Sequence, residues 1–384
     1  MNYVFDYLNW RGDLSFNHAP FNPVDNVIFS IISYYPFEGI VDGFNGSSDG
    51  LLLYSALDEL IEDVKTDIKK LNMYHFFKEA QYDLMTALRK SERYKNVKLA
   101  AFVNHIDKDA GIQFSAATFL PEENRPAYIA FRGTDDTLIG WKEDFNMIFT
   151  DAIPAQLAAV DYIQKAATLF EGEFYAGGHS KGGNLAVYAG TFCDSAIKQR
   201  IIKIYSNDGP GFSKKIVESA EYNQIAQKVV SYIPQDSIIG LLFESRAYCV
   251  IKSDGEGFMS HNPFLWEVMR NDLCKVDAIT TQSRFVNKTL MDWLELMDCN
   301  QRKEFISTLF DLLSSTNAKS IPDLTADWLK TIHSLVGSLN NMDKETHIML
   351  RKTFNALFEA AKDNLVKGIE KRYFKKKEPE PEIG

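Results

Sequence analysis

The residues Gly178-His179-Ser180-Lys181-Gly182 have the spacing G-x-S-x-G, and they stand between a strand-like segment, FYAGG, and a helix-like segment, GGNLAVYAG. A serine on so tight a strand-to-helix turn presents its hydroxyl for nucleophilic attack, and the flanking glycines avoid collisions with neighbouring backbone. The pentapeptide alone is a weak signal, since roughly one chain in ten of this size contains it by chance. Its position between strand and helix predicts that Ser180 is a nucleophile. A glycine-rich turn without catalysis and a phosphate-binding loop are the alternatives.

A serine hydroxyl needs a base within hydrogen-bond reach and a group that orients this base. Three histidines follow Ser180, namely His261, His333 and His347. His333 and His347 fall in helical patterns typical of surface positions, whereas His261 lies in a glycine-containing loop, GEGFMSHNPF, after the strand-like segment AYCVI. We therefore predict His261 as the base. His179, which precedes the serine, is interpreted as a buried structural partner.

Two aspartates that follow strand-like segments are candidates for the orienting acid. Asp208 lies in IIKIYSNDGPGF, and Asp236 lies in KVVSYIPQDSI. The apolar run IIGLLF after Asp236 would anchor it from behind, while the Asp-Gly-Pro-Gly sequence at Asp208 is explained by turn formation alone. We favour Asp236, with Asp208 as the alternative.

A developing oxyanion needs two fixed donors, one from the residue after the nucleophile and one from a loop after an earlier strand. The first donor would be the backbone N–H of Lys181. The second would lie in AYIAFRGTDDTLIGWKEDF, where Gly133 and Thr134 follow a strand-like segment.

The elements that must hold these residues begin near Val97. VKLAAFVNH and IQFSAATF predict a hairpin, and AYIAFRG, FYAGGH, IIKIYS, KVVSYI and AYCVI predict further strands that alternate with helices such as 154–170, 183–193 and 212–222. This alternation predicts an α/β fold with a mostly parallel sheet covered on both faces. We divide the chain into a helical, aromatic-rich N-terminal segment (1–95), a catalytic core (96–270), a helical appendix (271–372) and a disordered tail (373–384). Helices are expected near 51–70, 73–90, 283–298, 300–315, 323–338 and 344–372.

Composition excludes several classes of protein. The 384 residues are 45% hydrophobic and 24% charged, which excludes wholesale disorder, and the net charge of −10 argues against a dedicated nucleic-acid binder. The four cysteines are far apart and predict neither a disulfide framework nor a zinc site. The absence of an apolar signal core near the start and of a membrane-spanning stretch predicts a cytoplasmic protein. No metal and no cofactor are expected, and the oligomeric state stays open.

Two sets of motifs carry a resemblance to known families. FRGT followed by Trp141 and Asp144, then the GHS-x-GG turn and a late histidine, resembles the class 3 (fungal-type) lipases, which are α/β-hydrolases. The segments DYLNWRGD, FNPVDN and GHSKGGNLA resemble, more closely, a bacterial family of lipase-like hydrolases called Mbeg-like. The resemblance covers about residues 1–265. It implies Ser180 as nucleophile, Asp236 as acid, His261 as base, and Thr134 with Lys181 as oxyanion donors.

The expected reaction is hydrolysis of a carboxylic ester through an acyl-serine intermediate. The resemblance implies a lipid or acyl ester as substrate, and a thioester is equally compatible with the site. Lys181 stands where lipases usually have an apolar residue, which disfavours an apolar mouth for triglycerides. The basic run 371–377 could contact anionic lipid, or it is simply solvated. A non-catalytic interaction protein on the same scaffold is the rival interpretation.

Overall fold

The computed structural model describes residues 3–46, 49–66, 68, 71, 78–107, 111–122, 125–134, 143–144, 146–147, 150 and 152–296. Within these residues an eight-stranded sheet has its strands in chain order from one edge to the other. The strands are β1 (Leu51–Leu52), β2 (Lys98–Asp107), β3 (Ile112–Leu120), β4 (Ala127–Phe131), β5 (Phe174–His179), β6 (Ile201–Asn207), β7 (Val229–Pro234) and β8 (Cys249–Ile251).

The sheet changes direction at β4. Strands β1 to β4 pair antiparallel, and β4 to β8 pair parallel. β2 and β3 form the predicted hairpin, and the fully buried β4 is one of the short apolar runs that are typical of covered sheets. The carboxyl ends of the five parallel strands therefore meet at one edge, where connecting loops place functional side chains.

Helices cover both faces of the sheet. In the described residues they are α1 (Val4–Arg11), α2 (Pro23–Ile32), α3 (Leu53–Thr66), α4 (Lys78–Lys90), α5 (Pro154–Leu169), α6 (Lys181–Phe192), α7 (Ser195–Arg200), α8 (Lys214–Val217), α9 (Ala220–Ile225) and α10 (Thr281–Leu296). Helix α2 packs on one face, and α5 and α6 pack on the other, so that two apolar clusters flank the sheet. The α/β fold predicted from the alternating pattern is confirmed.

The N-terminal residues build the core on the α2 face. Phe29, Tyr34, Tyr35 and Phe37 are completely buried, as expected if the aromatic wealth of this segment serves packing. The cap of α2 explains where this helix starts, because the Asn22 side chain accepts hydrogen bonds from the first backbone N–H groups. The N-terminal segment thus lies directly against the sheet and contributes β1 to it.

Two local predictions differ from the structure. The helix expected over 212–222 is two short helices: α8 ends at Val217, and the Ser219 side chain caps the start of α9 by accepting from the Tyr222 N–H. The strands do not stop at Trp266, since β9 (Val268–Met269) and β10 (Asp272–Leu273) form a small separate hairpin. Of the helices predicted after residue 280, α10 lies where the first was expected. The others, and the tail, lie outside the described residues.

Candidate active site

Ser180 lies at the sharp turn between β5 and α6. Its backbone has φ 59° and ψ −133°, a conformation that side-chain-bearing residues rarely adopt and that persists only where surrounding contacts enforce it. The Ser180 N–H donates to the Asn207 carbonyl at 2.9 Å, which ties the turn to the end of the neighbouring strand β6. The turn predicted from the pentapeptide is therefore formed, and its backbone strain is held by the sheet.

The glycines around Ser180 are required by close backbone contacts. A methyl group at Gly178 or at Gly182 would overlap the Phe131 carbonyl oxygen at the end of β4. At Gly209, in the loop after β6, a methyl group would come within 2.7 Å of the Ser180 carbonyl oxygen. The serine is therefore enclosed between the ends of two strands, and only glycine fits at these three positions.

His261 lies at the end of a short 3-10 helix, Gly257–His261, and only 4% of it is exposed. Its Nδ1 contacts Oδ2 of Asp208 at 2.6 Å. Because the carboxylate can only accept, Nδ1 carries the proton and donates it. In the neutral ring Nε2 is then the nitrogen that can accept a proton.

The Asp208 carboxylate is fixed from several directions. Asp208 is completely buried, and its Oδ1 accepts from the Ser237 hydroxyl at 2.5 Å and from the Gly240 N–H at 3.1 Å. Its own N–H donates to the Tyr232 carbonyl at the end of β7. The backbone of Asp208 has φ 53°, a left-handed conformation that aspartate tolerates better than most residues. These contacts hold the carboxylate in one position against His261.

The expectation that Asp236 orients His261 is wrong, because the carboxylate in contact with His261 belongs to Asp208. Asp236 accepts a hydrogen bond from the Thr280 hydroxyl just before α10. The strand order gives the reason. β6 pairs directly with β5, which leads to Ser180, whereas β7 is one strand further away. Turn formation at Asp208 and its contact with His261 are compatible, since the left-handed backbone of Asp208 directs its carboxylate at the His261 ring.

His179 lies beneath His261 and is fully enclosed. Its Nε2 donates to the His261 carbonyl oxygen at 2.8 Å, and its Nδ1 accepts from the Tyr34 hydroxyl at 3.2 Å. The two imidazole rings are 4.4 Å apart. Burial, and secondarily the nearby His261, hold the pKa of His179 well below its ordinary value, so that this ring stays neutral near pH 7. Its contacts are those of the buried structural partner predicted from the sequence.

The loop after β4 runs beside the turn. A methyl group at Gly133 would approach the His179 carbonyl oxygen to 2.5 Å, so the backbone before Thr134 passes close to the end of β5. Thr134 is 1% exposed and donates its hydroxyl hydrogen to Oδ2 of Asp144. Lys181 is the first residue of α6, and its N–H has no acceptor within the helix. Both residues predicted as oxyanion donors therefore flank the turn.

The Lys181 side chain lies inside the protein rather than at its surface. It is 1% exposed, and its ammonium contacts Oε2 of Glu143 at 2.9 Å inside the protein. This burial is not evident from the sequence, because the direction of a side chain at the start of a helix does not follow from its residue type.

The described residues contain no group of three or more His, Cys, Asp or Glu side chains that could hold a metal ion. Within them, Cys193, Cys249 and Cys274 form no disulfide. Within the same residues, no helix is long and apolar enough to cross a bilayer. Cys299, Trp141, His333 and His347 lie outside the described residues.

The sheet and its covering helices together define an α/β-hydrolase fold, with the strained Ser180 turn between β5 and α6. The sequence model of the Mbeg1-like family matches residues 88–311, which is more than half of the chain. The chain belongs to the Mbeg1-like family, as its motifs indicated.

Lipases are among the solved structures similar to this chain. They include the native Rhizomucor miehei lipase propeptide complex (11% identity, TM-score 0.34, covering 62% of this chain and 76% of that one) and a deletion mutant of the same complex (12%, 0.32, 50% and 70%). A further one is M37 lipase (14%, 0.33, 56% and 68%). None of the curated proteins compared with the chain matches it.

Proposed function

We propose that this protein is a serine hydrolase that cleaves a carboxylic ester, with Ser180 as nucleophile, His261 as base and Asp208 as orienting acid. The observation that carries the proposal is the buried contact of 2.6 Å between Nδ1 of His261 and Asp208. A scaffold that served only for binding would not need a buried aspartate–histidine pair beside a strained serine turn.

In the first step, Nε2 of His261 takes the hydroxyl proton of Ser180 as Oγ bonds to the ester carbonyl carbon. Asp208 holds the ring in the required tautomer and stabilises the imidazolium that forms. A tetrahedral intermediate results, with its negative charge on the former carbonyl oxygen.

Two backbone N–H groups then stabilise this oxyanion. One belongs to Lys181, and the other to Thr134, whose hydroxyl hydrogen is already donated to Asp144. As the intermediate collapses, the carbon–oxygen bond to the leaving alcohol breaks and the imidazolium gives its proton to that alcohol. A water molecule, activated by His261 in the same way, hydrolyses the acyl-serine.

A lipid or acyl ester is the substrate class that family resemblance suggests. The site residues supply nucleophile, base and backbone donors, so the reaction would proceed without a metal or cofactor. The location in the cytoplasm, and contact of the 371–377 run with anionic lipid, remain predictions.

The test is turnover of p-nitrophenyl butyrate by the full chain, beside a butyryl thioester of similar leaving-group reactivity. We expect Ser180→Ala to lower kcat by about 10³-fold or more, with residual rate from the oxyanion donors. Ser195→Ala, at an exposed serine that starts α7, is the matched control and should retain full activity. Equal turnover by wild type and Ser180→Ala would refute the proposal. Preference for the thioester would reassign the substrate class.

A further inference from the structure

The ammonium group of Lys181 is buried in a cluster of polar groups directly behind the nucleophile. Besides Oε2 of Glu143, it contacts the Gln113 backbone carbonyl at 3.0 Å and the Gln113 side-chain oxygen at 3.1 Å. An ammonium has three hydrogens to donate, and these three acceptors use them. The lysine thus joins the start of α6 to strand β3.

Both carboxylate oxygens of Glu143 also have hydrogen-bond partners. Its side chain is completely buried, its Oε1 accepts from the Ala155 N–H at 3.0 Å, and its Oε2 also accepts from the Gln113 N–H at 3.2 Å. A buried ion pair repays the cost of removing two charges from water only when further hydrogen bonds complete it. Here those bonds fix Glu143 to β3 and to the first turn of α5, so the position of the pair is defined by the sheet.

The cluster continues to the oxyanion loop through the next residue. Asp144 accepts the Thr134 hydroxyl hydrogen, and its Oδ1 lies 3.7 Å from Nζ of Lys181. Lys181 therefore faces two carboxylates, one bound to the sheet and one bound to the residue that we propose as an oxyanion donor. Lys181 itself contributes its backbone N–H as the other proposed donor.

We infer that Lys181 is a positioning residue for the oxyanion site: through Glu143 and Asp144, its buried ammonium fixes the Thr134 loop relative to the Ser180 turn. This inference rests on the proposed function. It gives a physical role to the charge that replaces the apolar residue usual in lipases, since an apolar side chain could not attract a carboxylate to this place.

The ionisation of Asp144 makes the pH dependence of kcat a readout that a purely structural role of Lys181 would not affect. Burial raises the pKa of Asp144 to about 6, while Lys181 opposes this rise and Glu143 adds to it. The groups that face this carboxyl in the described structure are the Lys181 ammonium, the Glu143 carboxylate and the Thr134 hydroxyl. Above its pKa, Asp144 is ionised and must accept from Thr134; below it, the protonated acid can donate instead and release the loop.

The two charged neighbours must therefore shift the pH profile in opposite directions. Lys181→Met keeps the backbone N–H but removes the positive charge that favours ionised Asp144. The acid limb of the kcat profile should therefore move to higher pH by about one unit. Glu143→Gln removes the negative charge that disfavours ionised Asp144, so the acid limb should move to lower pH. In Lys181→Met/Asp144→Asn this upward shift should disappear, because the Asp144 carboxyl that causes it is gone.

The experiment measures kcat and KM for p-nitrophenyl butyrate from pH 5 to 9 in the full chain. We expect Lys181→Met to lower kcat at pH 8 by about 10- to 100-fold with little change in KM, as expected for a small misplacement of a donor. Lys198→Met is the matched control, since Lys198 is also buried but contacts Gln224 between α7 and α9. It should lose stability without loss of kcat.

Each outcome decides the inference. If Lys181→Met has the kcat and pH profile of Lys198→Met, the inference is wrong while the proposed function stands. If Lys181→Met does not fold, Glu143→Gln decides, and an unmoved acid limb there overturns the inference. If the wild type neither hydrolyses the ester nor reacts with a serine-directed fluorophosphonate, the proposed function itself has failed.

Discussion

At the residue scale, the pairing of His261 with Asp208 is the feature that differs most from expectation. Asp208 is completely buried and held by Ser237 and Gly240, whereas Asp236 contacts Thr280. An orienting acid needs a fixed position more than an unusual pKa, because its work is to select the imidazole tautomer. Position therefore assigns this work to Asp208 in the proposed mechanism.

We predict that Asp208→Asn lowers kcat by about 10³- to 10⁴-fold, since an amide there favours the wrong tautomer of His261. Asp236→Asn, the control, should cost about tenfold or less, because its carboxylate is not in contact with the base. The measurement is kcat on p-nitrophenyl butyrate for both variants, each shown to fold by circular dichroism. A larger loss in Asp236→Asn would reverse the assignment.

At the element scale, the turn between β5 and α6 depends on backbone packing against the end of β4. Glycine is needed at Gly178 because the Phe131 carbonyl and the Gly182 backbone occupy the space of a side chain. The need for glycine there could be predicted from the motif alone, and so could strands β2 to β8 and helices α3 to α6 and α10. The pairing of Asp208 with His261 could not, because it depends on which strands are neighbours in the sheet.

Gly178→Ala is predicted to lower the free energy of unfolding by about 3 kcal/mol or more, as an overpacked site without room to relax. Gly172→Ala is the matched control: Gly172 has φ 86° and open space around it, so only backbone strain of about 1 kcal/mol is expected. Urea unfolding of the two variants gives the comparison. Equal losses would mean that the turn tolerates a side chain.

The direction of the Lys181 side chain also could not be predicted. A lysine after Ser180 indicates a polar surface by residue type alone, and its burial becomes evident only when Gln113 on β3 and Glu143 are found around it. Gln113, the adjacent pair Glu143 and Asp144, and Lys181 come from three separate parts of the chain, so no local pattern joins them. The sequence therefore predicts the residues of the candidate site but not the contacts among them.

At the scale of the whole molecule, the proposed chemistry lies within 133–261, while the chain extends to residue 384. The N-terminal helices are part of this unit, since α2 packs on the sheet and Tyr34 binds His179. The predicted appendix contains no further acid, base and nucleophile set with the required spacing. We therefore expect it to serve stability or association.

Deleting residues 373–384 is predicted to leave kcat on a soluble ester unchanged, because this charged, proline-containing segment supplies none of the proposed site residues. Turnover of the truncated and full chains, measured at equal concentration of folded protein, makes the comparison. Loss of activity on deletion would show that the tail takes part in the reaction.

The most direct test of the central claim is covalent labelling of the full chain with a fluorophosphonate, followed by mass spectrometry of the digested protein. The probe phosphonylates an activated serine hydroxyl and requires the base beside it. We predict one label per chain, located on Ser180, lost in Ser180→Ala and strongly slowed in Asp208→Asn. Absence of labelling in the folded wild type, or labelling that persists in Ser180→Ala, would contradict the account.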